Sequence, residues 1–89
     1  MPRPWEADPE SEFNRRIGRS PIELGVTKAG PQCPDIWELD NGDFAVIGRD
    51  LTRAYRGRLP SEVSIGDDES LVVIPRIMLT EAKREIPDA

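Results

Sequence analysis

Three arginines of this chain are spaced so that their side chains could bind one anion together. Arg49, Arg53 and Arg56 recur at i, i+4 and i+7, a spacing that places side chains on one side of a helix. The guanidinium group offers a planar fork of N–H donors that fits a phosphate or a carboxylate. The cluster is therefore a candidate site for an anion or a nucleotide. The alternative, which we favour, is that these arginines pair with nearby acids such as Asp50 and Glu62, since exposed charges are usually only solvated.

Acidic residues are concentrated in residues 35–43, and carboxylate oxygens are the ligands that hard cations prefer. The run Asp40-Asn41-Gly42-Asp43 lacks the rest of a calcium-binding loop, whereas Asp and Asn are common in tight turns for conformational reasons. We therefore interpret these acids as turn residues and expect no metal site.

The chain carries no recognisable set of catalytic residues. It has no histidine, and Cys33 is its only cysteine, so a thiolate nucleophile would lack the usual activating base. No serine lies in a Gly-x-Ser-x-Gly turn, and no glycine-rich phosphate loop occurs. We expect a protein that is not an enzyme and that has no cofactor.

Composition restricts the remaining classes of function. The 89 residues are 37% hydrophobic and carry a net charge of −5, so the chain forms one small domain and is unsuited to direct nucleic-acid binding. No apolar run is long enough for a membrane span or a signal peptide. A single cysteine cannot form an intramolecular disulfide, and we therefore expect a cytoplasmic protein.

A β-hairpin is the clearest structural prediction, because Asn41-Gly42 is a strong signal for a two-residue turn between antiparallel strands. A two-residue loop would pair Leu39 with Phe44, Trp37 with Val46, and Ile36 with Ile47. The first two pairs would then share a buried face, and Ile36 and Ile47 would form an apolar patch near the open end of the hairpin.

The rest of the domain follows from residue types downstream. Asp50 is suited to cap a short helix over residues 51–56, and the β-branched run 71–74 predicts a third strand beside the hairpin. Residues 76–85 predict a C-terminal helix, with Met78, Ala82 and Ile86 at successive i, i+4 steps on one side. The predicted fold is α+β: a small three-stranded antiparallel β-sheet with a short crossover helix and a C-terminal helix.

Residues 1–32 contain many Pro, Gly and charged residues and few apolar ones, a composition typical of a flexible arm. A short helix over residues 10–17 would form only by docking. The arm either lies loosely over the domain or binds a partner, with Trp5, Phe13 and Ile17 as its anchors. We therefore expect an arm at 1–32, a domain at 33–86 and a tail at 87–89.

The order of motifs in residues 33–86 resembles a family of short acidic actinobacterial proteins that accompany helix-turn-helix regulators. The resemblance lies in Cys33, the strand Trp37-Glu38-Leu39, Asn41-Gly42, the strand that starts at Phe44, and the run 71–75 before a final helix. The insert 51–70 is longer than is usual there. The resemblance implies a non-enzymatic protein partner of a regulator and transfers no catalytic residue.

We therefore expect a non-enzymatic protein-interaction module whose partner is a protein or a second copy of the chain, and which binds neither nucleic acid nor membrane directly. The alternative is a small accessory protein that binds an anion or a nucleotide through the arginine cluster. The expected protein contacts are Ile36, Trp37, Ile47, Tyr55, Trp5 and Phe13.

Overall fold

The computed structural model describes residues 4–28 and 33–87. The strands are β1 (Phe13–Arg16), β2 (Asp35–Leu39), β3 (Phe44–Ile47), β4 (Arg49–Asp50) and β5 (Val72–Val73). The helices are α1 (Thr52–Tyr55), which continues into a 3₁₀ turn over Arg56–Arg58, and α2 (Arg76–Ala82). The predicted fold class is confirmed: a small three-stranded antiparallel sheet, a short helix and a C-terminal helix make up an α+β fold.

The third strand of the sheet is β1, and the sheet order is β1-β2-β3 with antiparallel neighbours. The prediction that residues 71–74 fill this position is wrong, because β5 pairs with β4 in a separate two-stranded ladder. Charged side chains help to hold β1 in place. Arg15 Nε lies 2.8 Å from Glu38 Oε1 on β2, a cross-strand pair that a search for apolar alternation does not detect.

The segment before Cys33 is part of the domain where the structure describes it, which corrects the prediction of a flexible arm. Residues 13–16 form a strand and not a docked helix, and Ile17 and Pro21 are fully buried. Asp40 and Glu12 exchange two hydrogen bonds, so the residues before β1 are tied to the hairpin tip. The predictions for residues 1–3, 29–32 and 88–89 lie outside the described residues.

The hairpin loop has three residues instead of the predicted two. The Leu39 amide donates to the Asp43 carbonyl at 2.8 Å, and the Gly42 amide donates to Leu39 at 3.1 Å. Within this loop only Gly42 has a positive φ, of 92°, while the Asn41 side-chain oxygen accepts from the Asp43 amide. This is the arrangement of a turn that ends in a glycine bulge.

The longer loop shifts the register by one residue. Ile36 now lies opposite Val46, Trp37 opposite Ala45, and Glu38 opposite Phe44. A shift of one residue moves side chains to the other face of a strand. The predicted face that joined Trp37 to Val46 is therefore wrong, and so is the predicted patch of Ile36 with Ile47.

The core lies between α2 and one face of β1 and β2. It consists of Ile17, Ile36, Met78 and Ala82, with Leu24, Val26 and Ile74 packed around it. Two of the three residues predicted on one side of α2, Met78 and Ala82, supply the helix side of this core. The prediction is wrong for Ile86, which lies beyond the end of α2 and is 46% exposed. Helix α2 thus covers this side of the sheet at Ile17 and Ile36.

Candidate functional site: the open face of the sheet

The face of the sheet opposite α2 carries an aromatic and aliphatic surface, which we call the open face. The register places Arg16, Trp37 and Ala45 side by side across the three strands, with Leu39 and Ile47 further along. Because successive side chains of a strand alternate between faces, these residues point away from the Ile17 and Ile36 side. The bulge between Phe13 and Arg15 shifts Phe13 into the same row as Leu39.

Two aromatic rings pack against each other at the centre of the open face. The ring centroids of Phe13 and Trp37 are 5.5 Å apart and the planes are inclined at 44°, a geometry favoured by aromatic pairs. Phe13 is nevertheless 55% exposed and Ile47 is 45% exposed. Clustered exposed apolar side chains of this kind mark contact surfaces more often than isolated ones do.

Trp5 places an exposed indole at the hairpin tip. Its Nε1 donates to Asp43 Oδ2 at 3.2 Å, and its side chain is 61% exposed. Asp43 lies opposite Leu39 at the end of the hairpin. One hydrogen bond thus holds Trp5 at the edge of the open face while most of its ring remains in water.

Arg16 and Asp35 fix the position of Trp37. The Arg16 guanidinium carbon lies 4.9 Å from the Trp37 ring centroid, and its Nε and Nη2 donate to Asp35 at 3.0 and 2.9 Å. This bidentate pair is partly buried, so the guanidinium has little freedom to leave the ring. Trp37 is therefore held rigidly before any partner binds.

The charges of this pair follow from the same contacts. Burial alone would raise the pKa of Asp35, but hydrogen bonds from the side chains of Arg16 and Trp37 outweigh it and hold this pKa below its ordinary value. The hydrogen bond with Asp35 in turn raises the pKa of Arg16. Both groups are ionised at neutral pH.

Carboxylates border the open face at the hairpin tip. The segment of residues 5–12 contains no Lys or Arg, and it is tied to the tip at one end by Trp5 and at the other by Glu12. The segment therefore starts and ends at the hairpin tip, and its four acids lie between or at these two attachments. We call the following group the acidic rim: Glu6, Asp8, Glu10, Glu12, Asp40 and Asp43.

The structure brings together four of the predicted protein-contact residues. Trp5, Phe13, Trp37 and Ile47 lie on or beside the open face. Ile36 does not, because it is only 5% exposed and packs in the core; its prediction as a contact residue is corrected.

The predicted contact residue Tyr55 lies on a helix and not on the strands of the open face. Tyr55 belongs to α1, and the Arg58 guanidinium covers its ring at 4.3 Å. Arg16 and Asp35 were not predicted as a pair at this site, because no short motif indicates them. A cross-strand pairing of opposite charges would have been the only signal.

The arginine cluster is divided by the structure. Arg53 and Arg56 line a shallow depression with Asp50 and Thr52, whereas Arg49 lies in β4 and borders another depression with Cys33 and Pro34. The prediction of one helical stripe is wrong because α1 begins only at Thr52.

The favoured pairing of these arginines with nearby acids is also not seen. Within residues 4–28 and 33–87, no carboxylate oxygen lies within 4 Å of the side-chain nitrogens of Arg49, Arg53 or Arg56. Asp50 instead accepts hydrogen bonds from the Thr52 hydroxyl at 2.7 Å and from its amide. These bonds lower the pKa of Asp50, so a negative charge remains in the depression.

Among the described residues, neither a metal site nor a membrane-spanning helix is present. No group of three His, Cys, Asp or Glu side chains there is arranged to hold a metal ion, and Cys33 is an exposed free thiol. Among the helices in those same residues, none has the length and apolar character that crossing a bilayer requires.

Neither the family models, nor the curated protein sequences, nor the solved structures with which we compared this chain match it.

Proposed function

We propose that this chain is a non-enzymatic protein-interaction module that binds a basic segment of another protein on its open face. The observation that carries the proposal is the cluster of exposed Trp5 and Phe13 with half-buried Trp37 beside the acidic rim. Trp and Arg are the residues that most often dominate the binding energy of protein interfaces.

The two parts of the surface would act differently on a partner. Carboxylates attract a basic segment over a distance and accelerate its association, while they repel acidic proteins. The exposed indole of Trp5 and the ring of Phe13 would then bury apolar area and accept a cation over a ring face, as Trp37 already does with Arg16. Charge would set the choice of partner, and the aromatic rings would supply most of the affinity.

A helix-turn-helix regulator fits this description of the partner. The resemblance noted in residues 33–86 implies such a regulator, and DNA-binding surfaces are rich in Lys and Arg. An acidic module that covers such a surface would be an accessory protein acting in the cytoplasm, with no nucleic-acid contact of its own.

Site-specific photo-crosslinking in the native host tests the proposal. A photoreactive amino acid replaces Trp5 or Ile47 on the open face, and Ser61, which is exposed in the loop after α1, serves as the control position. We expect one protein to be captured from both open-face positions and not from position 61. Capture that is equal at all three positions, or absent, would contradict the proposal.

The captured protein is then used in purified form. Phe13→Ala should weaken its binding by roughly tenfold or more, as expected of a central aromatic contact, and Val63→Ala, at an exposed position of the loop, should have no effect. Raising the salt concentration should slow association, because the acidic rim is screened.

A second candidate function is the binding of an anion by Arg53 and Arg56. It is favoured by one observation: both guanidinium groups line the same depression without a carboxylate partner within 4 Å in the described residues. Asp50 in that depression opposes it. Titration with inorganic phosphate or a nucleotide, followed by amide chemical shifts, should perturb residues 50–56 in the natural chain and not in R53A/R56A; Arg84→Ala is the matched control. No shift in the natural chain would exclude this function.

A further inference from the structure

Strand β3 is the edge of the three-stranded sheet, and its outer side has free hydrogen-bonding groups. Leu39 and Asp43 form a hydrogen-bonded pair, and such pairs alternate along antiparallel strands. The N–H and C=O groups of Phe44 and Val46 therefore point away from β2. Within the described residues, no backbone partner meets these groups.

The two edges of the sheet differ in how they are protected. β1 carries Arg15 and Arg16 and a bulge, which are devices that keep an edge strand from pairing with another chain. β3 has the sequence Phe-Ala-Val-Ile, without charge, proline or bulge. An open apolar edge of this kind is a template for a further strand.

The side chains of β3 are also left uncovered. Helix α2 packs over Ile36 of β2 and over Ile17, which directly follows β1. Phe44 and Val46 of β3 remain 41% and 43% exposed on the helix side. The core cluster of the described residues has only four buried members. Association through β3 would extend a core that is small for a free-standing domain.

We propose that two copies of this chain pair β3 with β3 in antiparallel orientation, forming a continuous six-stranded sheet with its two-fold axis at Ala45. In this register, Phe44 of each copy lies opposite Val46 of the other, and their outward N–H and C=O groups bond to each other. Ala45 lies opposite its own equivalent at a position without hydrogen bonds, where the Cα atoms approach to about 4.5 Å and small side chains fit. Phe44 and Val46 of both copies form one apolar cluster.

Charge complementarity favours a second copy over an unrelated strand. The proposed register puts Asp43 opposite Ile47 of the second copy and diagonal to its Arg49, a distance that long side chains can bridge. Arg49 has no carboxylate within 4 Å among the described residues. Each copy carries a net charge of −5, but the copies meet at an uncharged strand. At each end of that strand, Asp43 of one copy attracts Arg49 of the other.

Sedimentation analysis over a range of protein concentrations tests the association. We expect a reversible species with twice the 10.0 kDa mass of one chain. Val46→Pro removes an outward N–H without touching the β2 ladder, since proline is tolerated on strand edges, and Val46→Lys places like charges together. Each should raise the dimer Kd by roughly tenfold or more, whereas Val63→Lys should not.

Disulfide trapping tests the register in a Cys33→Ser background. Ala45→Cys should crosslink two copies under mild oxidation, because the two positions face each other, and Ile47→Cys should not. Thermal unfolding shows which variants retain the fold. A second test reverses the charges of Asp43 and Arg49. Either single reversal should weaken the dimer, and the double reversal should restore it. A chain that stays monomeric at all concentrations, or cysteines that crosslink equally at 45 and 47, would overturn the proposal.

Discussion

Gly18 lies directly against the backbone of Ala82: a Cβ at position 18 would be 3.1 Å from the Ala82 amide nitrogen. Its φ of 78° is also unfavourable for any residue with a side chain. We expect Gly18→Ala to lower the free energy of unfolding by about 2–4 kcal/mol, the sum of backbone strain and the displacement of α2. Gly25→Ala is the control, because its φ is 73° but nothing lies within 4 Å; it should cost about 1 kcal/mol. If urea unfolding shows that both substitutions lower the free energy of unfolding equally, the contact of Gly18 with α2 is unimportant.

The buried pair of Arg16 and Asp35 makes stability depend on pH. The pKa of Asp35 is lower in the folded chain than its ordinary value, so at acidic pH the unfolded chain binds more protons and folding is weakened. This contribution is complete above the ordinary pKa of about 3.9 and is lost as the pH falls through the lower folded value.

Asp35→Asn should therefore destabilise the protein by about 1–3 kcal/mol at neutral pH, and the difference from the natural chain should shrink below about pH 4. The control is Glu38→Gln, which removes the more exposed pair with Arg15 and should cost less than about 1 kcal/mol. Chemical unfolding at several pH values measures both. A difference for Asp35→Asn that stays constant down to pH 2 would argue against this account.

Thr52 connects the start of α1 to the chain before β5. Its hydroxyl oxygen accepts from the Leu71 amide at 2.7 Å and its hydroxyl group donates to Asp50. Thr52→Val keeps the shape but leaves a partly buried amide without its acceptor, which should cost about 1–2 kcal/mol and speed hydrogen exchange at Leu71. Thr52→Ser keeps the hydroxyl and should stay within about 0.5 kcal/mol of the natural chain.

Trp5 contributes one exposed hydrogen bond to the fold, so Trp5→Ala should change the free energy of unfolding by less than about 0.5 kcal/mol. The same substitution should weaken binding of a partner to the open face. Thermal unfolding beside a binding assay separates the two effects. A large loss of stability would instead assign this indole to the fold.

Parts of this fold could be predicted because the types and spacing of a few nearby residues determine them. Met78 and Ala82 are spaced for one side of a helix and do pack in the core. Asn41-Gly42 located the hairpin, but the same dipeptide also fits a three-residue loop, and the Asn41 side chain holds the longer form. The register could not be read from the sequence for that reason.

The remaining differences arise from long-range charge pairs. Residues 13–16 are mostly polar, and they form a strand because Arg15 and Arg16 meet acids on β2 more than fifteen residues away. Trp5, Phe13, Trp37 and Ile47 were each predicted as contacts, but only the position of β1 shows that they share a surface.

The core joins residues that are far apart along the chain, since Ile17 and Ile36 are covered by Met78 and Ala82. During synthesis on the ribosome, the three strands of the sheet emerge before α2. The apolar side of Ile36 therefore stays in contact with water until residues 76–82 have left the exit tunnel. For that interval the nascent chain exposes both faces of its sheet together with the β3 edge, which are the features that make a partly folded chain prone to aggregate.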